Sequence, residues 1–335
     1  MNWSLKPRAC QVVAASGLDA WLGRVTGALR RPWIVGYHTV VSSEAALSEL
    51  MPGLAITTRT FEQHLDWIGR RFSFSSLGEL PLEAHGHPAG QKPLAAITFD
   101  DGYRGVFDEA LPLLRRKGIP AALFVVTDRV GSAAPLVHDQ LYRMLRECCS
   151  EEEAYNMTRA LLRSFAPAAL ARFIRRLGSP AHEDAPDLPL TWPMLQTLRA
   201  AGWTIGSHTR SHALLSSAQA TPAALSEETL GSRMALALKL GAAPRHFAYP
   251  DGAFNPGAVA AVASAGYEFA YTACAHQDPA HLQLTRSRTM LWERSSLDGA
   301  GRFSPSVLAC QSSGLVELVA GCHRDHGAPA RSLTP

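Results

Sequence analysis

The chain has 335 residues, 47% of them hydrophobic and 18% charged, with a formal net charge of +3. This balance excludes disordered and fibrous classes, and one large domain carrying an insertion fills the length. The small charge, without basic runs or interleaved aromatic and basic residues, argues against nucleic acid as a partner.

At the N-terminus the apolar run 10–15 is short for a signal core, and nowhere do 18 apolar residues follow one another. With six cysteines that show neither paired metal-ligand spacing nor scaffold density, the expectation is a cytoplasmic protein. Residues 15–31 read as an amphipathic helix: Leu18, Trp21, Leu22, Val25 and Leu29 share one face, and Arg24, Arg30 and Arg31 lie outside it. Packing on the domain's flank is the plainer use of such a helix; its basic side also raises the expectation of a peripheral membrane contact. Residues 33–37 read as a first strand ending at His38, followed by a helix capped by Thr60. Residues 94–99 form a short, wholly apolar strand of the kind buried in a parallel sheet. A helix over 106–117, stopped by Gly118 and Pro120, and a strand over 121–126 come next.

Residues 128–190 break this rhythm with two helical stretches, 136–149 and 151–177, and read as a helical insertion. Alternation then resumes: a helix capped by Thr191, a strand at 203–206, a helix over 222–240, and a strand at 246–249. Asn255 followed by Pro256 opens a helix that Gly266 closes. Residues 268–272 and 283–289 are weaker strand candidates. The resulting division is an N-terminal helix over 1–32, a body over 33–300 and a C-terminal helix with a frayed tail over 301–335. Repeated strand-helix alternation implies an α/β fold, an open parallel sheet or a barrel, with chemistry at the carboxyl ends of its strands.

Two adjacent carboxylates, Asp100 and Asp101, stand at such an end, before a glycine that frees the turn. A helix cap explains one carboxylate. It explains two poorly, because each charge raises the other's pKa unless a cation or a proton holds them together. Beyond the strand at 203–206, His208 and His212 stand four apart, a spacing at which one helical turn puts both imidazoles on one side. Two imidazoles and a carboxylate leave open positions on a metal, as in catalytic zinc sites. Non-haem iron takes the same donors, but on an antiparallel fold. Thr209 stands where a His-Glu-x-x-His protease needs its glutamate. The free carboxylate would serve as base toward a water that the cation makes acidic, an arrangement for hydrolysis.

These residues resemble the polysaccharide deacetylases with a NodB-homology domain. Thr98-Phe99-Asp100-Asp101-Gly102 is similar to the family's first motif, His208-Thr209-Arg210-Ser211-His212 to its second, and Phe247-Ala248-Tyr249-Pro250-Asp251-Gly252 to a variant of its third. Tyr37-His38 is similar to a pair found early in many members. The resemblance covers roughly residues 33–290 and implies a distorted (β/α) barrel of about seven strands acting on an acetylated carbohydrate. It implies Asp100 as general base, Asp101, His208 and His212 as ligands of a divalent metal, most simply zinc, and the backbone N–H of Asp251 as oxyanion donor. The arginine that opens the third motif is replaced by Ala248, and Arg286 is the expected substitute. The late histidine that serves the family as general acid has no evident counterpart. Two other readings share these residues: a carbohydrate-binding relative without turnover, and an imidase or formyl amidohydrolase on the same metal centre.

Overall fold

The computed structural model describes residues 6–18, 21, 23, 31–81, 91–177, 187–217, 220–316 and 326. Its centre is a parallel sheet. The strands are β1 (Trp33–Tyr37), β2 (Thr39–Val41), β3 (Ala55–Thr57), β4 (Ser73–Phe74), β5 (Leu94–Phe99), β6 (Ala121–Val125), β7 (Thr204–Ser207), β8 (His246–Ala248), β9 (Phe269–Tyr271) and β10 (Thr289–Met290). Seven of them run in the order β10-β1-β5-β6-β7-β8-β9, with β4 paired to the start of β5 and β2-β3 forming a separate pair. Every pairing between these strands is parallel, and the β1–β5 register runs from Trp33 opposite Ala95 to Tyr37 opposite Phe99.

Residues 286–290 join the sheet's two ends. Arg286 N donates to Ala270 O at 2.9 Å on β9, and further along Val35 of β1 pairs with Thr289. The sheet thus curls into a distorted barrel.

Side-chain alternation explains why the strands read as continuously apolar. Ile34, Ala96, Ala122, Phe124, Ala248 and Tyr271 point into the barrel. Val35, Ile97 and Leu123 point outward against Phe61, Leu65, Leu114 and Leu195 on the surrounding helices. Both faces are buried, so neither needs polar residues. Three of the six interior positions are alanine, which leaves room for the rings of Phe124 and Tyr271 and for one buried arginine.

The helices follow their local signals with informative shifts. The one expected from Thr60 spans Thr58–Arg71, because Thr57, still extended, caps it by accepting from Thr60 N. Between 151 and 177 there are two helices, Glu151–Ser164 and Pro167–Leu177, since Pro167 starts a new turn. Thr191 and Asn255 cap as expected, and Gly118 at φ +66 ends Leu111–Lys117. Near the N-terminus a further helix, not expected from the sequence, spans Lys6–Ala15. Within 15–31, Ala15, Leu18, Trp21 and Gly23 are helical and Ser16 and Gly17 form a turn; residues 19–20, 22 and 24–30 of the expected helix lie outside the described residues. Cys10 packs on Val307 and Cys310 of the helix Pro305–Ser312. The peripheral membrane contact expected of residues 15–31 gains no support. No helix among the described residues is long and apolar enough to cross a membrane.

Candidate active site

The carboxyl ends of β1, β5, β7 and β8 deliver the site. Asp100 follows β5, and its N–H donates to Tyr37 O at 2.9 Å, so the strand ladder fixes its start. The chain then turns sharply: Asp101 has φ +72 and Gly102 φ +83. The four non-glycine residues with positive φ among the described residues are Asp101, Thr209, His212 and Asp251. Left-handed backbone disfavours L-residues, and all four sit in the three motifs that line this site, where the surrounding structure holds them.

His208 and His212 meet by another route than the sequence suggests. They are not on a helix: residues 208–212 form a loop with left-handed turns at Thr209 and His212, and the two rings stand 5.0 Å apart. Glu228 shapes that loop, accepting from Arg210 N at 3.0 Å, Ser211 N at 2.9 Å and the Ser211 hydroxyl at 2.6 Å. In the sequence Glu228 looks like any helix carboxylate, and no local pattern marks it.

Asp101, His208 and His212 each offer a ligand atom within 4.8 Å of the others. The Oδ1 of Asp101 is buried and makes no hydrogen bond among the described residues, yet lies 3.4 Å from His208 Nε2 and 3.2 Å from His212 Nε2. His208 Nδ1 lies 2.8 Å from Ala248 O. A carbonyl only accepts, so Nδ1 carries the proton and Nε2 presents a lone pair to the carboxylate. Such atoms repel unless a cation lies between them. Tetrahedral bonds of about 2.0 Å would set O and N about 3.3 Å apart, so the three side chains fit a divalent metal.

The cation beside Asp100 is Arg288, not Arg286. Arg288 Nη1 and Nη2 donate to Asp100 Oδ1 and Oδ2, both at 2.7 Å; Nη1 also reaches Thr98 Oγ1 at 3.2 Å, and Nε the Thr272 carbonyl at 3.1 Å. The guanidinium is fully buried, 5.1 Å from the Phe124 ring centre. Arg286 instead donates to Pro81 O at 2.9 Å and lies against Phe269 and Tyr271. The expected arginine was on the correct segment and two residues short. Along a parallel strand two residues advance about 6.6 Å, which separates the barrel's lower interior from the mouth where Asp100 stands.

Burial works against charge on Asp100, but Arg288 foremost, then His208 and His38, outweigh it and hold the carboxyl below its usual range. Asp101 is likewise driven down despite burial, chiefly by His212. Burial lowers His208 to about 4, against the pull of Asp100 and Asp101. His212 is raised, since Asp101 overcomes the burial that opposes its charge.

A cavity of about 480 Å³ opens over these groups, lined also by His38, Tyr155, Arg159, Phe165, Leu214 and Trp292. Tyr155, Arg159 and Phe165 come from the helical insertion, which both packs as a subdomain and walls the cavity. It also brings in His138, unnoticed in the sequence. Its Nε2 is 2.8 Å from the Tyr103 hydroxyl and 3.9 Å from Asp101 Oδ2, and burial lowers it to about 3. The backbone of Asp251 turns left-handed at φ +53 on the cavity wall, with its carboxylate 3.5 Å from Arg159.

A family model described as polysaccharide deacetylase matches residues 87–270, more than half of the chain. The chain belongs to the polysaccharide deacetylase family. The match takes in Asp100, Asp101, His208, His212 and Asp251, and ends before Arg288. Over 122 residues the chain is 27% identical to YxkH of Bacillus subtilis (strain 168), whose name assigns it to the same family; this covers 36% of the chain and 40% of that relative's length. Among solved structures it is similar to Streptococcus pyogenes deacetylase PplD in complex with acetate (TM-score 0.54, 19% identity, 84% of this chain and 98% of that one). It is similar also to IcaB from Ammonifex degensii (TM-score 0.55, 20% identity, 84% and 97%). At these identities the likeness is one of fold.

Proposed function

We propose that the protein is a metal-dependent hydrolase that removes acetyl groups from an N-acetylated sugar, in a polysaccharide, an oligosaccharide or a lipid-linked intermediate. The observation that carries this reading is the pairing of Asp100, clamped by Arg288 and ionised, with Asp101, His208 and His212 at the floor of one cavity. Adjacent carboxylates then have separate work: Asp101 would hold the metal with the two histidines, and Asp100 is left as base. When bound, the cation, zinc by the donor set, supplies Lewis acidity that makes the attacking water acidic and favours negative charge on the amide oxygen.

The chain's own groups do the rest. Asp100 accepts the water's proton and, as the amide breaks, returns it to the leaving amine, which explains how one residue serves as base and then as acid. Arg288 keeps Asp100 ionised at rest and fixes its plane through two parallel hydrogen bonds. The Ala248 carbonyl holds His208 in the tautomer that turns Nε2 toward the metal position. The N–H of Asp251 is the oxyanion donor in this reading, and Leu214 and Trp292 keep the cavity's wall apolar. The binding-only reading rests on the missing third-motif arginine and the missing general-acid histidine; Arg288 beside Asp100 answers the first, and the return of the proton by Asp100 answers the second. The test is acetate release from N-acetylglucosamine oligomers by the purified protein, before and after chelation. Release that stops on chelation and returns with zinc supports the reading; tight metal binding without turnover on any acetylated sugar would turn it toward the imidase class.

A further inference from the structure

The loop after β9 carries Cys274 and His276, and His326 from the C-terminal end of the chain lies on the same spot. One ligand atom from each lies within 4.8 Å of the others. Cys274 Sγ is 3.3 Å from His326 Nε2, though the residues are 52 positions apart in sequence. The His276 and His326 rings stand 4.7 Å apart, and Phe254 flanks His326 at the same distance. With metal bonds of about 2.3 Å to sulfur and about 2.0 Å to nitrogen, a tetrahedral ion sets S and N about 3.5 Å apart. The Cys274–His326 distance lies close to that value.

We propose that Cys274, His276 and His326 form a second metal site, with the fourth position left to water, that takes zinc or a similarly borderline-soft divalent cation. A thiolate and two imidazoles are the donors such ions prefer, and they exclude calcium and magnesium. Binding exchanges the thiol proton of Cys274 for the metal and releases it to water. The site's place in the fold gives it a purpose. The Thr272 hydroxyl donates to Cys274 O at 3.0 Å, while the Thr272 carbonyl accepts from Arg288 Nε at 3.1 Å. Ala273 packs on Gly252 so closely that a Cβ there would fall 2.4 Å from Ala273 N. A metal on Cys274 therefore pins the loop that supports both the arginine of Asp100 and the wall bearing Asp251. It also links residues 52 positions apart in sequence, a span over which a cross-link restricts the unfolded chain strongly.

Cobalt(II) separates this site from the catalytic one, because only a sulfur ligand gives intense thiolate-to-cobalt absorption in the near ultraviolet. The full chain, stripped of metal and kept in a non-thiol reductant, is titrated with cobalt. The wild type and Asp101→Asn are expected to show the band, Cys274→Ser to lack it, and His276→Ala, at an exposed position, to need at least tenfold more cobalt. Circular dichroism establishes that each variant is folded. Zinc should raise the Tm of Asp101→Asn and leave that of the double variant Asp101→Asn with Cys274→Ser unchanged. Absence of the band in the folded wild type, or its persistence in Cys274→Ser, would overturn the proposal. Neither result touches the deacetylase reading, whose ligands contain no sulfur.

Discussion

Replacing Arg288 with methionine removes the guanidinium that holds Asp100 and leaves a chain of similar length. Two charge-assisted hydrogen bonds at 2.7 Å disappear, and the carboxylate stays buried. Breaking a buried ion pair from one side costs about 3–5 kcal/mol if the remaining charge persists. The carboxyl can avoid that cost by binding a proton. At about 1.36 kcal/mol per unit, a penalty near 3 kcal/mol corresponds to a pKa rise of about 2 units. The acid limb of the pH–rate profile for acetate release should therefore move up by about 2 pH units or more, with partial recovery of activity at alkaline pH. Arg286→Met, which loses only a bond to Pro81 O and ring contacts, should leave that limb in place. Adding Asp100→Asn to Arg288→Met should recover stability, because the unpaired charge is gone; this coupling separates a specific effect from general misfolding. An Arg288→Met enzyme with the wild-type profile, or an Arg286→Met enzyme with the shifted one, would refute the reasoning.

Other perturbations test the surroundings. Glu228→Ala deletes three hydrogen bonds to the 208–212 loop, and metal affinity at the catalytic centre should fall about 10–100-fold, read by competition with a chromophoric chelator. Gly252→Ala forces a Cβ to within 2.4 Å of Ala273 N at φ +65, and urea unfolding should show a loss of about 1–3 kcal/mol. His64, buried between the Tyr37 hydroxyl and Ser296, is lowered by burial from 6.5 to about 3. The unfolded chain therefore binds its proton first. Stability is full above pH 6.5 and is lost as pH falls toward about 3, by at most about 1.4 kcal/mol per pH unit. His64→Gln should flatten thermal stability over that window; an unchanged slope would contradict the linkage.

The residues that sequence reasoning located are those whose signal is local. Leu94 to Phe99 reads as a buried strand because both faces are covered, and Asp100 and Asp101 stand out because adjacent charges at a strand's end need a reason. Capping by Thr191 and Asn255 is equally local. His208 and His212 were found for their spacing, although the turn that joins them is a loop with two left-handed residues rather than a helix. What failed depends on depth in the barrel or on distant packing. Arg286 and Arg288 have the same chemistry and the same side of the chain, and only the register against β9 and β1 tells which one reaches Asp100. Glu228 and His138 lie on helices whose approach to the site no short pattern encodes. Cys274 and His326 come together across 52 positions and share no motif.

The division of labour between the two aspartates is the central claim, and a pair of variants tests it most directly. Metal content and acetate release are measured together for Asp100→Asn and Asp101→Asn. The account predicts that Asp100→Asn keeps the wild-type metal content and loses about 10²–10⁴ in rate, while Asp101→Asn loses one equivalent of metal and its activity together. An Asp100→Asn enzyme that turns over like the wild type, or an Asp101→Asn enzyme that keeps its full metal content, would contradict it.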